Sequence, residues 1–548
     1  MQSRRAADAA ALPAGGTPGV HRMLPWAAML LGSVSVLDIL ARNRNQASLA
    51  DAAPALAGSL ALALAVWGLA VAWRRRADAG AALIACVWVV GLLFYLDLAR
   101  PLNKALGGTY PMLRPLPVAV AAMVGLTLLL RGRRPWHGFA NTVAISIAVA
   151  LLAGPAARLA AFEWRHGASR QAYDPDRAEA EMPELARAGT GGATPDIYHL
   201  VFDRYGSEET LTNRYGIRDP IGPFLERQGF YVARDSFANY LSTGHSLAST
   251  FHMDYLAGLA ADPRVTGDDW HPIFAMLDDN RVGRFLRARG YEMHQFGSWW
   301  AGTFHNPDAD SNQPFGLSEF DIGYLRRTIL LPLFHLLPEG PVTRSFDWDN
   351  GQCQRVARQV EAIKRVGEPR RPVYVFAHIL VPHGPYVFRP DGSCMERLAS
   401  QARGEMQGYA DQVGYADRII EELVTTLLAG GRRPAAILIQ ADEGPIPERD
   451  MRVPWQDAPD AELRIKFGIL AAYRFPDGDY RRLRQDISPV NSYRTMLGHL
   501  FGVALPELPD RMIAFPDHLG IYDFQDVTER VRCATLAAPP HEAALPPC

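Results

Sequence analysis

The sequence predicts a protein in two parts, an N-terminal all-α bundle of about five transmembrane helices followed by an exported α/β domain whose mostly parallel sheet is covered by helices. Three observations predict it. Five apolar runs crowd into the first 160 residues. That stretch holds 15 Lys and Arg against five acids, whereas the rest of the 548-residue chain carries twelve more acids than bases. Beyond residue 196 short apolar runs alternate with amphipathic stretches, which is the pattern of strands packed under helices. The overall charge of -2, with 48% hydrophobic residues, excludes a basic nucleic-acid binder and a largely disordered chain.

The apolar runs lie near 23–40, 54–73, 80–96, 115–130 and 138–157, close to the ~20 residues a helix needs to cross ~30 Å of hydrocarbon. The run at 115–130 is short. Asp38 and Asp97 sit at the ends of two others, where a carboxylate reaches the interface. With the N-terminus inside, the inner flanks carry nine Arg (positions 4, 5, 22, 74, 75, 76, 131, 133 and 134) and the outer flanks five Lys or Arg (42, 44, 100, 104 and 114). Positive flanks stay cytoplasmic, so five spans place everything after about residue 160 outside the cytoplasm. The predicted location is a bacterial-type inner or plasma membrane, multi-pass, with an extracytoplasmic C-terminal domain. The predicted division is a membrane domain at 1–162, a polar tether at 163–195 and the exported domain at 196–548. Cys353, Cys394, Cys533 and Cys548 fall on the outer side, where one or two structural disulfides can persist beside free thiols. Their spacing does not fit a zinc knuckle.

Four runs in the exported part read as strands. Residues 196–202 lead into Asp203, 373–377 into His378 and His383, and 436–440 into Asp442, while 466–472 has no acid after it. In open α/β sheets ligands bind beyond the carboxyl ends of strands, so residues far apart in sequence should meet there. Thr243 lies in Leu-Ser-Thr-Gly-His-Ser, a polar turn that can open a helix and offer backbone N–H groups to a phosphoryl oxygen. Read plainly, Thr243 or Ser242 is an N-cap and the strand-end histidines satisfy loop carbonyls.

Six segments carry a resemblance: PDIYHLVFD at 195–203, GFYVA at 229–233, NYLSTGHSLAS at 239–249, FAHILVPHGPY at 376–386, QADEGP at 440–445 and ISPVNS at 487–492. In this order they resemble the membrane-anchored sulfatase-like hydrolase/transferase family of the alkaline phosphatase superfamily. The layout is similar to that of lipoteichoic acid synthases and lipid A phosphoethanolamine transferases. The resemblance implies an alkaline-phosphatase-like fold and a metal-dependent enzyme in which Asp203, Thr243 and Asp442 are ligands and Thr243 is the nucleophile. It makes His383 and His378 contacts to the transferred group or proton donors to the leaving oxygen. Where relatives read Asp-His-Gly this chain reads Asp442-Glu443-Gly444. Glu443 as the fourth ligand would complete an all-oxygen set, which favours manganese or magnesium over zinc.

The implied reaction is transfer or hydrolysis of a phospho-group, with a membrane lipid as donor and an envelope lipid or glycan as acceptor. The alternative is a lapsed domain that binds envelope glycan or protein partners. Sulfatase chemistry needs a Cys or Ser in a Cys/Ser-x-Pro-x-Arg stretch, and none surrounds Thr243. His245 reads as a core or solvated residue, and His294, His305 and His499 receive no role.

Overall fold

The computed structural model describes residues 23–109, 112–187, 194–218, 221–265, 267–338, 351–366, 371–430, 433–516 and 519–536. Six helices open it: α1 (Trp26–Arg42), α2 (Leu49–Arg74), α3 (Ala79–Leu93), α4 (Tyr95–Ala105), α5 (Leu116–Leu129) and α6 (Trp136–His166). Ser48 starts α2 with a capping box to Asp51, and the Asp78 side chain caps α3. Each expected apolar run is helical. Two helices, α2 and the one that starts at Trp136, are long and apolar enough to cross a bilayer, and α3 with α4, bent by 63°, is a third candidate. With 17 and 14 residues, α1 and α5 are shorter.

The bundle has two distinct ends. At one, Arg74 pairs with Asp78 and donates to the Arg131 carbonyl at 2.7 Å. At the other, Asp38 accepts from Arg42 and Arg158, both at 2.9 Å. The α/β part sits against this second end, where the Trp270 N–H donates to the Asn45 carbonyl at 2.9 Å. That is the end the Arg count assigns to the outer side.

Residues 163–187 of the segment expected as a tether are folded. They continue α6, turn through Ser169–Gln171 and form short helices at Pro175–Ala180 and Pro183–Arg187. Ser169 is buried and bonded to Asp269, the Tyr173 hydroxyl donates to the Asp279 carbonyl, and Arg284 bonds Asp176 and Glu179. These contacts hold 163–187 on the α/β part, which polar composition alone did not indicate.

Seven strands form the main sheet: β1 (Asp196–Phe202), β2 (Tyr231–Val232), β3 (Glu292–Phe296), β4 (Ser311–Asn312), β5 (Val373–Ile379), β6 (Ala435–Gln440) and β7 (Ala471–Arg474), in the order β2-β7-β6-β1-β5-β3-β4. The central pairs β6-β1-β5 are parallel, and β7 runs antiparallel to β6. All seven residues of β1 are buried, as a strand covered on both faces requires. Burying Ile197, Leu200, Val201 and Phe202, each wholly inaccessible, contributes about 1.5–3 kcal/mol apiece.

The strand expected at 466–472 begins later. Residues Asp460–Phe467 form a helix, with acids in its first turn and Arg464 and Lys466 in its last, a charge order that complements the helix dipole. Gly468 ends it, and β7 follows.

Candidate functional site

The register of the central strands assembles the site. Val201 of β1 lies opposite His378 of β5 on one side and Gln440 of β6 on the other. The residues just beyond these positions, Asp203 and Asp442, therefore emerge beside His378. The three side chains place ligand atoms within 4.8 Å of one another, and all three are buried.

His378 Nε2 lies 3.2 Å from Asp203 Oδ2, and its Nδ1 lies 2.8 Å from the Thr303 hydroxyl, which in turn meets Ser298 at 2.9 Å. A hydroxyl on the far nitrogen fixes the orientation of the ring. Asp442 Oδ1 accepts the Arg204 backbone N–H at 3.2 Å. Asp203 Oδ1 and Asp442 Oδ2 are buried with no hydrogen-bond partner. Carboxylate oxygens left in this state are costly unless a cation meets them. The trio thus fits a divalent ion, and the orphaned oxygens mark where it would sit.

Titration behaviour agrees. Burial opposes ionisation of Asp203, but His383, His378 and Arg204 outweigh it and hold the carboxyl below its ordinary range. Burial, then the charges of Asp203 and Glu443, push Asp442 up to about 7. Two carboxylates this close share a proton when no cation is present.

Thr243 stands at the first position of helix α7 (Thr243–His252), half-buried at the mouth of the site. Ser242 precedes it in extended conformation and makes no side-chain cap, so the plain N-cap reading does not describe this turn. The Thr243 side chain lies close enough to Asp442 to lower its pKa. Gly244 follows because a Cβ there would come within 2.9 Å of the Trp270 ring.

Glu443 faces the other way. Its Oε1 accepts from Arg204 Nε at 2.8 Å and from Lys466 Nζ at 2.7 Å, and both Glu443 and Lys466 are buried. Gly444 makes this possible. A Cβ at Gly444 would fall 2.2 Å from the Ile465 carbonyl oxygen, so only glycine lets the turn lie on the helix that carries Lys466. Arg204 is held in the left-handed region, φ 65°, a strain of about 1–3 kcal/mol typical of functional turns. The structure therefore surrounds Glu443 with cations and brings His378 to the two aspartates. The donor cluster in the structure holds an imidazole and is not the all-oxygen set expected with Glu443.

His383 is half-buried in the loop beyond β5, with cis peptide bonds at Val381-Pro382 and Gly384-Pro385. Its backbone N–H donates to the Asp203 carbonyl at 3.1 Å. Its Nδ1 donates to the Gly384 carbonyl, which leaves Nε2 as the acceptor of a neutral ring. Burial, helped by the Arg204 charge, lowers its pKa to about 4.

Buried glutamines brace the segment. Gln412, on the helix Glu405–Ala429, donates to the Pro382 and His383 carbonyls at 3.0 and 2.8 Å, and Gln359 donates to the His378 carbonyl at 2.9 Å. The Cys353–Cys394 disulfide joins helix Gln352–Lys364 to the chain beyond this loop. Cys548 lies outside the described residues.

A cleft of about 320 Å³ connects these groups, lined by Thr243, Asp203, Arg204, His383, Glu443 and Lys466 with Trp270, Trp299 and Trp300. Sequence reasoning missed Arg204, Lys466, Thr303 and the tryptophans. Only Arg204, directly after the strand-end carboxylate, carried a local signal. The other histidines stand apart. His245 is buried with Nε2 3.0 Å from the Ile521 carbonyl, His294 pairs with Glu292 at 3.2 Å, and His499 pairs with Asp477 at 2.9 Å. His305 lines a separate pocket.

A family model described as Sulfatase matches residues 213–503. The match contains Thr243, His378, His383, Asp442 and Lys466, and Asp203 and Arg204 precede it. No curated protein matches the chain. Among solved structures it is similar to the C-terminal periplasmic domain of EptC from Escherichia coli, at 13% identity over 61% of this chain and 94% of that one with a TM-score of 0.37. It is similar also to the C-terminal periplasmic domain of phosphoethanolamine transferase EptC from Campylobacter jejuni, at 13% identity over 57% and 91% with a TM-score of 0.36. A third is the soluble domain of lipooligosaccharide phosphoethanolamine transferase A from Neisseria meningitidis, at 14% identity over 58% and 95% with a TM-score of 0.34.

Proposed function

The chain belongs to the sulfatase family, and from that premise we propose that it is a metal-dependent phospho-group transferase or phosphodiesterase with Thr243 as nucleophile. Its substrates are envelope lipids or glycans at the outer face of a membrane. One observation carries the reading: a hydroxyl at an uncapped helix N-terminus stands beside a buried carboxylate whose second oxygen is unpartnered. A threonine cannot be converted to the aldehyde that sulfatases use, which favours phosphoryl over sulfuryl transfer.

Asp203, His378 and Asp442 would hold the ion, with the Thr243 oxygen completing the set. When bound, the ion supplies positive charge that lowers the pKa of the Thr243 hydroxyl and offsets charge on the phosphoryl oxygens. A donor set with one imidazole admits zinc alongside manganese and magnesium.

Arg204 and Lys466 bring two positive charges against the single negative charge of Glu443. Both cationic groups line the cleft, where they would meet an anionic substrate group. In the first half-reaction Thr243 Oγ1 bonds to phosphorus as the bond to the lipid alcohol breaks, His383 Nε2 takes the Thr243 proton and returns it to the departing alcohol oxygen, and the helix N–H groups face the developing charge. In the second, an acceptor hydroxyl or water gives its proton to His383 Nε2 and takes the phospho-group, and the same proton passes to the released Thr243 Oγ1. A neutral His383 is ready to accept first, and the proton it then returns to the leaving oxygen is the donor role the resemblance implies.

The proposed organisation is a membrane domain at 1–162, a connecting segment at 163–195 and a catalytic domain at 196–548 on the extracytoplasmic side. The Cys353–Cys394 disulfide supports that side, because disulfides persist in oxidising compartments. The lapsed-domain reading required Glu443 to stand where a ligand belongs. A three-donor cluster that does not include Glu443 weakens it.

The test is mass spectrometry of the full chain after incubation with vesicles of phosphatidylethanolamine and phosphatidylglycerol. A phospho-substituted Thr243 peptide is expected, and its added mass identifies the group moved. Lipid turnover that proceeds undiminished in Thr243→Ala would contradict the assignment.

A further inference from the structure

The α/β part sends one segment back among the membrane helices. Helix α8 (Glu319–Arg327) and helix α9 (Leu330–Phe334) lie between β4 and β5 in sequence. Tyr324, 6% exposed, packs with Val36, Ile39, Leu40, Ala52 and Ala55 of α1 and α2. Arg327 reaches Asp38 at 3.2 Å and Asp97 at 2.8 Å, the two acids at the ends of apolar runs. Ile329 packs against Tyr95, Ala99, Leu116 and Met123, and its N–H donates to the Leu92 carbonyl at 2.8 Å, next to the bend between α3 and α4.

Beyond Ile329 the chain reads Leu-Leu-Pro-Leu-Phe-His-Leu-Leu to 337. Leu330, Leu333, Leu336 and Leu337 are 37%, 39%, 60% and 56% exposed. Leu330 also lines, with Leu62, Leu92, Leu93 and Leu325, a groove that is almost wholly apolar. Large aliphatic side chains grouped in this way mark an interaction surface. Here the surface continues the outer faces of the membrane helices, where Leu98, Val118 and Leu126 are also exposed, at 58%, 53% and 46%. An apolar surface continuous with bilayer-facing helices calls for hydrocarbon rather than water or a polar protein face.

We propose that residues 330–337 insert into the bilayer as a second membrane contact of the α/β part, with Arg327 as the polar hinge at the interface. The segment and α4 together form a collar on the outer leaflet that fixes the height of the Thr243 cleft above the membrane. The eight residues are too few to span, so the contact is interfacial. This inference concerns lipid contact alone and stands apart from the chemistry assigned to Thr243.

The experiment places a photoreactive benzoylphenylalanine at Leu336 or Leu337 in the full chain, reconstituted in vesicles of phosphatidylethanolamine and phosphatidylglycerol. Leu126 on α5 is the membrane control, and Leu398, 71% exposed on the α/β part, is the aqueous control. After irradiation, intact-mass analysis should find lipid adducts at 336 and 337 at a yield within about threefold of that at 126, and none at 398, because interfacial residues meet acyl chains. Adducts at 126 alone would overturn the proposal. Cross-linking of 336 or 337 to a second copy of the chain would also overturn it, by making the surface a protein interface.

Discussion

Asp442 and Glu443 are adjacent in sequence, both acidic and both buried, yet their carboxylates belong to different side-chain clusters, two walls of one site. The Asp442 wall, with Asp203 and His378, keeps carboxylate oxygens without partners. The Glu443 wall is saturated, one carboxylate against Arg204 and Lys466. The difference teaches that burial and charge do not identify a ligand. What sets the Asp442 wall apart is a carboxylate oxygen on each aspartate that the fold leaves without a hydrogen bond, whereas Glu443 sits in an ion pair.

The contrast is broken most severely at the proposed nucleophile, Thr243, which lies beside Asp442. Thr243→Ala should lower turnover at least about a thousandfold, because the attacking atom is gone. The same change should move stability by less than about 1 kcal/mol, since Thr243 is not an N-cap. Parallel kinetics and thermal unfolding in detergent check both. On the saturated wall the effects reverse: Glu443→Gln should destabilise by about 3–5 kcal/mol by leaving the buried Lys466 ammonium without its counter-charge.

Thr303→Val sharpens the comparison from behind the ligand. It keeps shape but removes the hydroxyl on His378 Nδ1, and metal affinity should fall about 10–100-fold, as read by competition with a chelator. A change confined to stability would make Thr303 a packing residue only.

Histidines away from both walls supply an effect that is absent at neutral pH and grows only in acid. Burial holds His199, His245 and His252 neutral, their pKa values lowered to about 3. Unfolded histidines titrate near 6.5, so below that pH the unfolded state binds more protons. Stability is full above about pH 6.5 and declines toward pH 3, by about 1.4 kcal/mol per pH unit for each residue. Thermal unfolding from pH 8 to 4 should show the decline begin below about 6.5. His245→Gln should reduce its slope, and a flat profile from pH 7 to 5 would contradict the burial of these rings.

Much of the anionic wall is legible in the sequence. Asp203, His378 and Asp442 each end a continuous apolar run, and parallel strands deliver their carboxyl ends to one edge. Glu443 is misplaced by the same reading, because sequence adjacency to a ligand says nothing of a lysine 23 positions later on another helix. That lysine is itself read as strand, since Ile465, Phe467 and Ile469 alternate while Asp460 and Glu462 carry the weaker helix-start signal. Gln359 and Gln412 leave no local trace. Their partners are backbone carbonyls, which every residue offers. The run at 329–337 is visible but too short to count as a span, and only the packing of Ile329 on α4 and α5 places its start beside those helices.

Metal content of purified full chain tests the two-wall account most directly, with wild type, Asp442→Asn, Glu443→Gln and the double variant Glu443→Gln/Lys466→Met compared by elemental analysis. The double variant removes the Lys466 charge stranded by Glu443→Gln and guards against loss of fold. The account predicts that wild type and both Glu443 variants keep a divalent ion and that Asp442→Asn loses it. Retention by Asp442→Asn together with loss from the folded Glu443 variants would place the ion on the saturated wall and contradict the account.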